Sequence, residues 1–407
     1  MSDNYITGLD IGASNIKAIV GQVNEDGRIS VLKVFKSPSA GMRKGVIDDF
    51  SEMTRSLYQI FGEIKIFSRQ ALKNIYVNIE GCDIHTQFSR GIVAVSRADF
   101  EIHKDDIDRA VQASQSVKLL SNRTVLHAII KEYIVDGIND IRDPLGMIGN
   151  RLEVDSLIID VFDPAIKNLN KCVESVGGNV SGLIFSPLAS ARSVLSKNQK
   201  DLGVVLVDIG SSTTGICVYE ENKLIHAAVL PVGSGNVTND LAIVLKISIV
   251  AAEAIKLSFG TALAKDVSGK ETIDLRKIDS NAKNTTTKKR VAEIVETRLA
   301  EIFEFVNNEL KSIGKAGQLP GGVMLVGGGS KIAGIVDLAK QELKLPAQIG
   351  IPETSSLEIA SGELNLQIED PEFACSVGLM IWGSDKCPRG GDSFKGWFGK
   401  IINSLKP

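Results

Sequence analysis

Asp10-Ile11-Gly12-Ala13-Ser14-Asn15 stands between two β-rich runs, residues 5–9 and 16–23. An acid, a glycine and small polar side chains between two strands spell a hairpin with a polar turn. Asp208-Ile209-Gly210-Ser211-Ser212-Thr213 restates the pattern in the second half of the chain, between residues 204–207 and 214–219. One such turn is ordinary. Two, in matching settings in the two halves, mark an internal duplication rather than a short repeat array.

Outward from the first turn, residues 53–67 carry apolar side chains at helical spacing, and residues 75–79 read as a strand. Residues 84–162 read as an inserted unit, with strands at 92–95 and 152–161 and a helix at 105–119. Asp105 and Asp106 near the start of that helix suit its positive end. Asp163-Pro164 opens a helix that runs to Val176 and stops at Gly177-Gly178. Outward from the second turn, residues 241–259 read as apolar and helical. Residues 266–289 are threonine-rich and polar, a loop or short strands. Residues 291–310 read as a helix, 321–326 as a strand and 332–343 as a helix, while 383–392 has linker composition.

At 407 residues, length gives a soft prior of two to four domains. A composition 43% apolar and 23% charged is that of an ordinary globular chain able to bury a sizeable core. The net charge of −3 makes no bulk electrostatic case for a nucleic-acid partner. Cys82, Cys172, Cys217, Cys375 and Cys387 are scattered and odd in number, and show neither C-x-x-C nor Cys/His ligand spacing. That argues against a disulfide framework or a zinc site and fits a reducing cytoplasm. The four histidines have no Ser/Asp or Cys partner in motif spacing and read as surface or core residues. Met1-Ser2-Asp3-Asn4 runs into a strand without a basic and then apolar leader, so no secretory signal is expected. Nor is there an apolar run of about 18 residues to span a membrane.

The two turns suit phosphate. A nucleoside triphosphate needs backbone N–H donors at close range and a hydrated Mg²⁺ held by carboxylate. Glycine permits the approach, and small hydroxyls add donors without bulk. The turn at Asp10 supplies one clamp, with Lys17 as a phosphate counter-charge, and the turn at Asp208 supplies the other. A third element, Gly327-Gly328-Gly329-Ser330-Lys331-Ile332-Ala333-Gly334, follows an apolar strand. A glycine run there puts bare backbone beside a flat ligand or a phosphate. It matches neither the Walker A pattern nor the dinucleotide fingerprint.

The order of these motifs resembles the actin/Hsp70/sugar-kinase superfamily, in which two phosphate motifs precede an adenosine motif. More closely, the chain resembles the bacterial cell-division family FtsA over nearly its whole length. The similarity runs through Val125-Leu126-His127-Ala128-Ile129, Tyr133-Ile134-Val135-Asp136-Gly137, Gly146-Met147, Arg151-Leu152-Glu153-Val154, Thr238-Asn239-Asp240-Leu241-Ala242 and Ala252-Glu253-Ala254-Ile255-Lys256. It implies an α/β, actin-like (ribonuclease-H-like) two-lobed fold with a nucleotide cleft, an inserted α+β subdomain and a C-terminal amphipathic helix. In that division subdomain 1A takes residues 1–83, 163–195 and 360–382, and the inserted 1C takes 84–162. Subdomain 2A takes 196–227 and 302–359, and 2B takes 228–301. A linker at 383–392 leads to a membrane helix at 393–407.

The resemblance also implies roles. Asp10 and Asp208 would hold Mg²⁺ through water, with ATP as the cofactor. Gly12, Ala13, Ser14 and Asn15, with Gly210, Ser211, Ser212 and Thr213, would line the phosphates. Glu253 and Lys256, three apart on one helix, would face ribose or adenine. Gly328, Gly329 and Ser330 would border the adenosine, and Gly233 and Ser234 would form a phosphate edge. The family often shows D-x-G-G-G-T-x-D at the second phosphate motif; here it is D-I-G-S-S-T-T-G, with Gly215 at the final acid. Residues 185–191, where faster relatives carry a water-orienting acid or amide, read Phe-Ser-Pro-Leu-Ala-Ser-Ala. Hydrolysis needs a group to orient water, so tight nucleotide binding with slow or negligible turnover is expected.

The end of the chain carries its own physical signal. At helical spacing Phe394, Trp397, Phe398, Ile401, Ile402 and Leu405 fall within an arc of about 140°. Lys395, Lys400 and Lys406 lie outside it, as on an in-plane interfacial helix. One such helix binds reversibly, and several on one polymer would anchor it. The resemblance implies that polymer, peripheral and head-to-tail on the inner face of the cytoplasmic membrane at the division site. It implies as partners the C-terminal peptide of the tubulin-like protein FtsZ on residues 228–301, other division proteins, and membrane lipids. The alternative is a small-molecule, sugar-type kinase of the same fold, which would need a catalytic carboxylate over the cleft. An Hsp70-like chaperone would need a large further domain, and only about 20 residues follow the core.

Overall fold

The computed structural model describes residues 4–280, 282 and 285–385. The amphipathic segment at 393–407, Cys387 and most of the linker lie outside the described residues.

Two sheets share one plan. In the first, Ile75–Ile79 lies parallel to Tyr5–Ile11, which pairs antiparallel with Asn15–Val23, which pairs antiparallel with Ile29–Pro38. Val180–Phe185 and Leu357–Ile359 close its edges, making six strands. In the second, Gly322–Val326 lies parallel to Val204–Ile209, and Thr214–Glu220 and Lys223–Leu230 continue the antiparallel run. Ala347–Ile349 completes five strands. Strands buried on both faces need near-continuous apolar runs, and Val204–Ile209 reads buried at every position but Asp208. The duplication read from the two turns is thus a duplication of whole sheets.

Helices cover the sheets for local reasons. Phe50–Phe67 is capped by Asp49, whose carboxylate accepts the Glu52 N–H at 2.9 Å, and buries Met53, Leu57, Ile60, Phe61 and Ile64 on one stripe. Ala374–Ser384 is buried almost all round. It crosses Ser186–Val194 at Gly378, where a Cβ would stand 1.8 Å from the Ala189 carbonyl oxygen. Only glycine allows that approach, and these two helices pack between the sheets.

The stretch 241–259 is two helices, not one. Ser234–Leu245 ends at Lys246 in the left-handed conformation (φ 55°), and Ser248 caps Ile249–Phe259 by accepting the Ala251 N–H at 3.3 Å. Serine favours a cap over a helix interior, and periodicity alone does not register that break. The helix expected at 105–119 is Lys104–Gln115, and that expected at 332–343 begins only at Ile335, after a 3-10 turn at Gly328–Lys331. Thr272–Asp274 and Thr285–Thr287 form the short-strand alternative for the threonine-rich stretch.

His85–Ala94, Arg151–Phe162, Arg123–Val135 and Ile138–Ile141 form a separate four-stranded sheet in that order. Lys104–Gln115 packs on it through Ile107, Ala110 and Val111 against Tyr133, Leu152 and Val154. This unit leans on the second sheet: the Thr86 hydroxyl donates to the Ala227 carbonyl at 3.1 Å, and Lys223 pairs with Asp140.

Candidate functional site

The two turns close in the same way. The Gly12 N–H donates to the Asn15 carbonyl at 3.1 Å, and the Gly210 N–H to the Thr213 carbonyl at 2.9 Å. Asp10 and Asp208 each occupy the last position but one of the strand that enters the turn. Both turns open onto one cleft of about 540 Å³ between the sheets.

Sixteen of the eighteen residues proposed for nucleotide line that cleft. They are Asp10, Gly12, Ala13, Ser14, Asn15 and Lys17 from the first hairpin; Asp208, Gly210, Ser211, Ser212 and Thr213 from the second; and Ser234, Glu253, Lys256, Gly328 and Gly329 beyond it. Gly233 and Ser330 stand behind the wall. Gly233 brings helix Ser234–Leu245 against the second turn, where the Ser234 and Gly235 N–H groups donate to the Gly210 and Ser211 carbonyls at 2.9 and 2.8 Å. Ser330 is 1% exposed, and its hydroxyl donates to the Gly327 carbonyl at 2.7 Å.

Charge on the floor is unbalanced. Lys17 Nζ lies 2.8 Å from Asp10 Oδ2 and donates to the Glu372 carbonyl at 2.7 Å, so its charge is largely committed before any phosphate arrives. Burial opposes the ammonium, but Asp10 beside it prevails and holds Lys17 above the ordinary lysine range. Asp208 accepts the Ser190 hydroxyl at 2.7 Å; even so, burial, with the Asp10 charge adding, pushes it up to about 6. Lys256 is also committed: it pairs with Glu253 at 2.7 Å and donates to the Thr238 hydroxyl at 2.9 Å, leaving the half-exposed Glu253 to face the cleft.

Sequence reading missed Glu80. It follows the strand Ile75–Ile79 and lines the cleft floor. Burial and then the Asp208 charge raise its carboxyl to about 8, against hydrogen bonds from the Thr213 and Ser186 hydroxyls. The available signal was an acid directly after a largely apolar strand neighbouring the first turn, where strand ends meet ligand in open α/β sheets. Lys36, Lys331 and Glu372 form a rim, with Glu372 2.8 Å from Lys36 and 3.7 Å from Lys331. No local motif announces them, since they come from distant parts of the chain.

Three acids beside one lysine, with carboxylate, hydroxyl and backbone oxygen as the donors, suit a hard hydrated cation such as Mg²⁺. Among the described residues the trio of acid and histidine ligand atoms gathered within 4.8 Å is Asp99, Glu101 and His103, on the inserted unit. Asp10, Asp208 and Glu80 do not converge that tightly, so the floor fits a cation held through water.

Solved structures share this architecture. A chain of the PilM-PilN type IV pilus biogenesis complex superposes with a TM-score of 0.68 over 93% of this chain and 98% of that one, at 16% identity. MreB 5 of Spiroplasma citri bound to AMPPNP gives 0.55 over 93% and 96%, at 14% identity. The fold is the actin-like one. A family model described as cell division protein FtsA matches residues 205–378, and one for the SHS2 domain inserted in FtsA matches 81–160. Cell division protein FtsA of Pseudomonas aeruginosa is 35% identical over 95% of this chain and 90% of its own length. That of Bacillus subtilis is 34% identical over 93% and 84%. With likeness of that depth running through both sheets, the inserted unit and the paired turns, the chain belongs to the FtsA family of cell division proteins.

Proposed function

We propose that this chain binds Mg-ATP between its lobes and uses it to govern self-association on the inner face of the cytoplasmic membrane, where the polymer tethers the FtsZ ring. The observation that carries this reading is the pair of equivalent turns opening, each behind an acid, onto a single cleft. Backbone N–H groups and hydroxyls of residues 12–15 and 210–213 cradle the phosphates. Asp10 and Asp208 hold Mg²⁺ through water, and the ion supplies neutralisation of charge on the β- and γ-phosphates. Glu253 faces the ribose, and Gly328 and Gly329 border the base. The AMPPNP bound by the Spiroplasma MreB 5 supports a nucleotide in this fold.

Anchoring falls to the amphipathic segment, with Phe394, Trp397, Phe398, Ile401, Ile402 and Leu405 in the lipid and Lys395, Lys400 and Lys406 toward anionic headgroups. Each nearby lysine adds roughly 1 kcal/mol, and a head-to-tail polymer multiplies the effect. The FtsZ C-terminal peptide docks on residues 228–301, and other division proteins join the assembly. Membership of the FtsA family does not favour the small-molecule kinase alternative. The test is co-sedimentation with anionic vesicles in ATP and in ADP, comparing the full chain with one stopped at Asp392. Nucleotide-dependent pelleting of the full chain alone supports the reading; equal pelleting of both chains, or no binding of labelled ATP, overturns it.

A further inference from the structure

We propose that Glu80 positions the attacking water for hydrolysis of the bound triphosphate, an inference that rests on the nucleotide reading above. Residues 185–191 offer no acid for this task, and the first residue of that helix, Ser186, brings only a hydroxyl to the cleft and is 1% exposed. Glu80 reaches the same spot from the neighbouring strand and shares hydrogen bonds with the Ser186 and Thr213 hydroxyls.

The carboxyl is positioned from both hairpins. On the first side the Ile11 N–H donates to Asn78 Oδ1 at 2.7 Å, and the Asn78 amide donates to Ser186 Oγ at 3.2 Å. On the second side Thr213 belongs to the other turn. A group so held is aimed before ligand arrives, as water orientation requires.

There is also room for the water. Glu80 lines both the cleft and a second chamber of about 40 Å³ behind the turns, and Gly12, Ala13, Ser212 and Thr213 also border both. That volume exceeds what one ordered water needs, and the walls carry polar partners for it. Gly215 makes room beside the carboxyl: a Cβ there would lie 2.5 Å from Pro187 Cγ and 3.4 Å from Glu80 Oε1. The other acids of the floor are engaged, Asp10 with Lys17 and Asp208 with Ser190.

In the step itself, the water oxygen bonds to the γ-phosphorus while the bond from that phosphorus to the β–γ bridging oxygen breaks. The bridging oxygen leaves with its electron pair as part of ADP, and a water proton passes to a phosphate oxygen, giving orthophosphate. Glu80 accepts a hydrogen bond from the water and fixes its line of approach.

The test is phosphate release from Mg-ATP by the full chain, with affinity for a fluorescent ATP analogue measured beside it. Glu80→Ala should lower turnover about tenfold or more while changing affinity less than about twofold, and Glu80→Gln should restore part of the rate. Unchanged turnover in Glu80→Ala, a rate loss matched by affinity loss, or tight binding without measurable wild-type turnover each overturns this role while leaving the nucleotide reading intact. Absence of wild-type nucleotide binding overturns the reading beneath it.

Discussion

Lys17 and Asp10 face each other across the first hairpin with 2.8 Å between Nζ and Oδ2, whereas the register partner of Asp208 in the second hairpin is Gly215. The duplicated scaffold therefore carries its cation on one side only, and the cleft floor is acidic by construction.

Removing that cation strands Asp10. Lys17→Met should cost about 3 kcal/mol of unfolding free energy, the usual consequence of leaving one member of a buried pair alone. Urea titration measures it; a loss below about 1 kcal/mol would mean that water already solvates Asp10. Because the folded Lys17 is held above its unfolded value near about 10.4, its stabilisation is fully present below that pH and lost only above it. The ammonium itself should accordingly stay charged from about pH 6 to pH 9.

Asp208 and Glu80 set a dependence of the same sign at lower pH. Their carboxyls sit at about 6 and about 8 in the folded chain, against about 3.9 and 4.3 unfolded. Between those limits the folded state binds more protons than the unfolded one, so stability falls as pH rises. The urea midpoint of the nucleotide-free protein should drop from about pH 5 to pH 8, and Glu80→Gln should flatten the upper part of that slope. Millimolar Mg²⁺ should also flatten it, since the cation favours the ionised acids. A midpoint independent of pH in the wild type would contradict the buried acidic floor.

Neighbouring glycines of one motif should behave oppositely. Gly327 has φ 82°, and a Cβ there would stand 2.4 Å from Asp208 Oδ1, whereas Gly328 has nothing within 4 Å of its would-be Cβ. Gly327→Ala should destabilise the fold by about 1–3 kcal/mol. Gly328→Leu should leave stability within about 0.5 kcal/mol and instead obstruct the cleft, weakening ATP at least about tenfold. Calorimetry with ATP titration separates the two, and equal behaviour of the pair would refute the assignment of Gly328 to the ligand wall.

For the tail, Trp397→Glu places a charge on the apolar arc. Vesicle pelleting should fall by at least about tenfold with the melting temperature and ATP affinity unchanged. Pelleting that survives the change would locate the lipid contact elsewhere.

Much of this was legible along the chain because it is local. Strand, turn and strand follow one another around Asp10 and again around Asp208, and sequence alone carries a hydrogen-bonded turn of that length. The break at Lys246 was less so, since apolar spacing continues across it while Ser248 caps a new helix.

The amino-acid sequence by itself determined the two equivalent turns, the glycine run and the duplicated plan, because short-range backbone chemistry specifies each. Only the tertiary structure decided how their charges combine. It turned Lys17 onto Asp10 and the Glu372 carbonyl, sent Ser330 behind the wall, and brought Glu80 from a third strand to the Ser186 and Thr213 hydroxyls. Those contacts join residues far apart along the chain. Their energies come from burial and from the proximity of like and unlike charges, which exist only once the two sheets have closed on a common cleft.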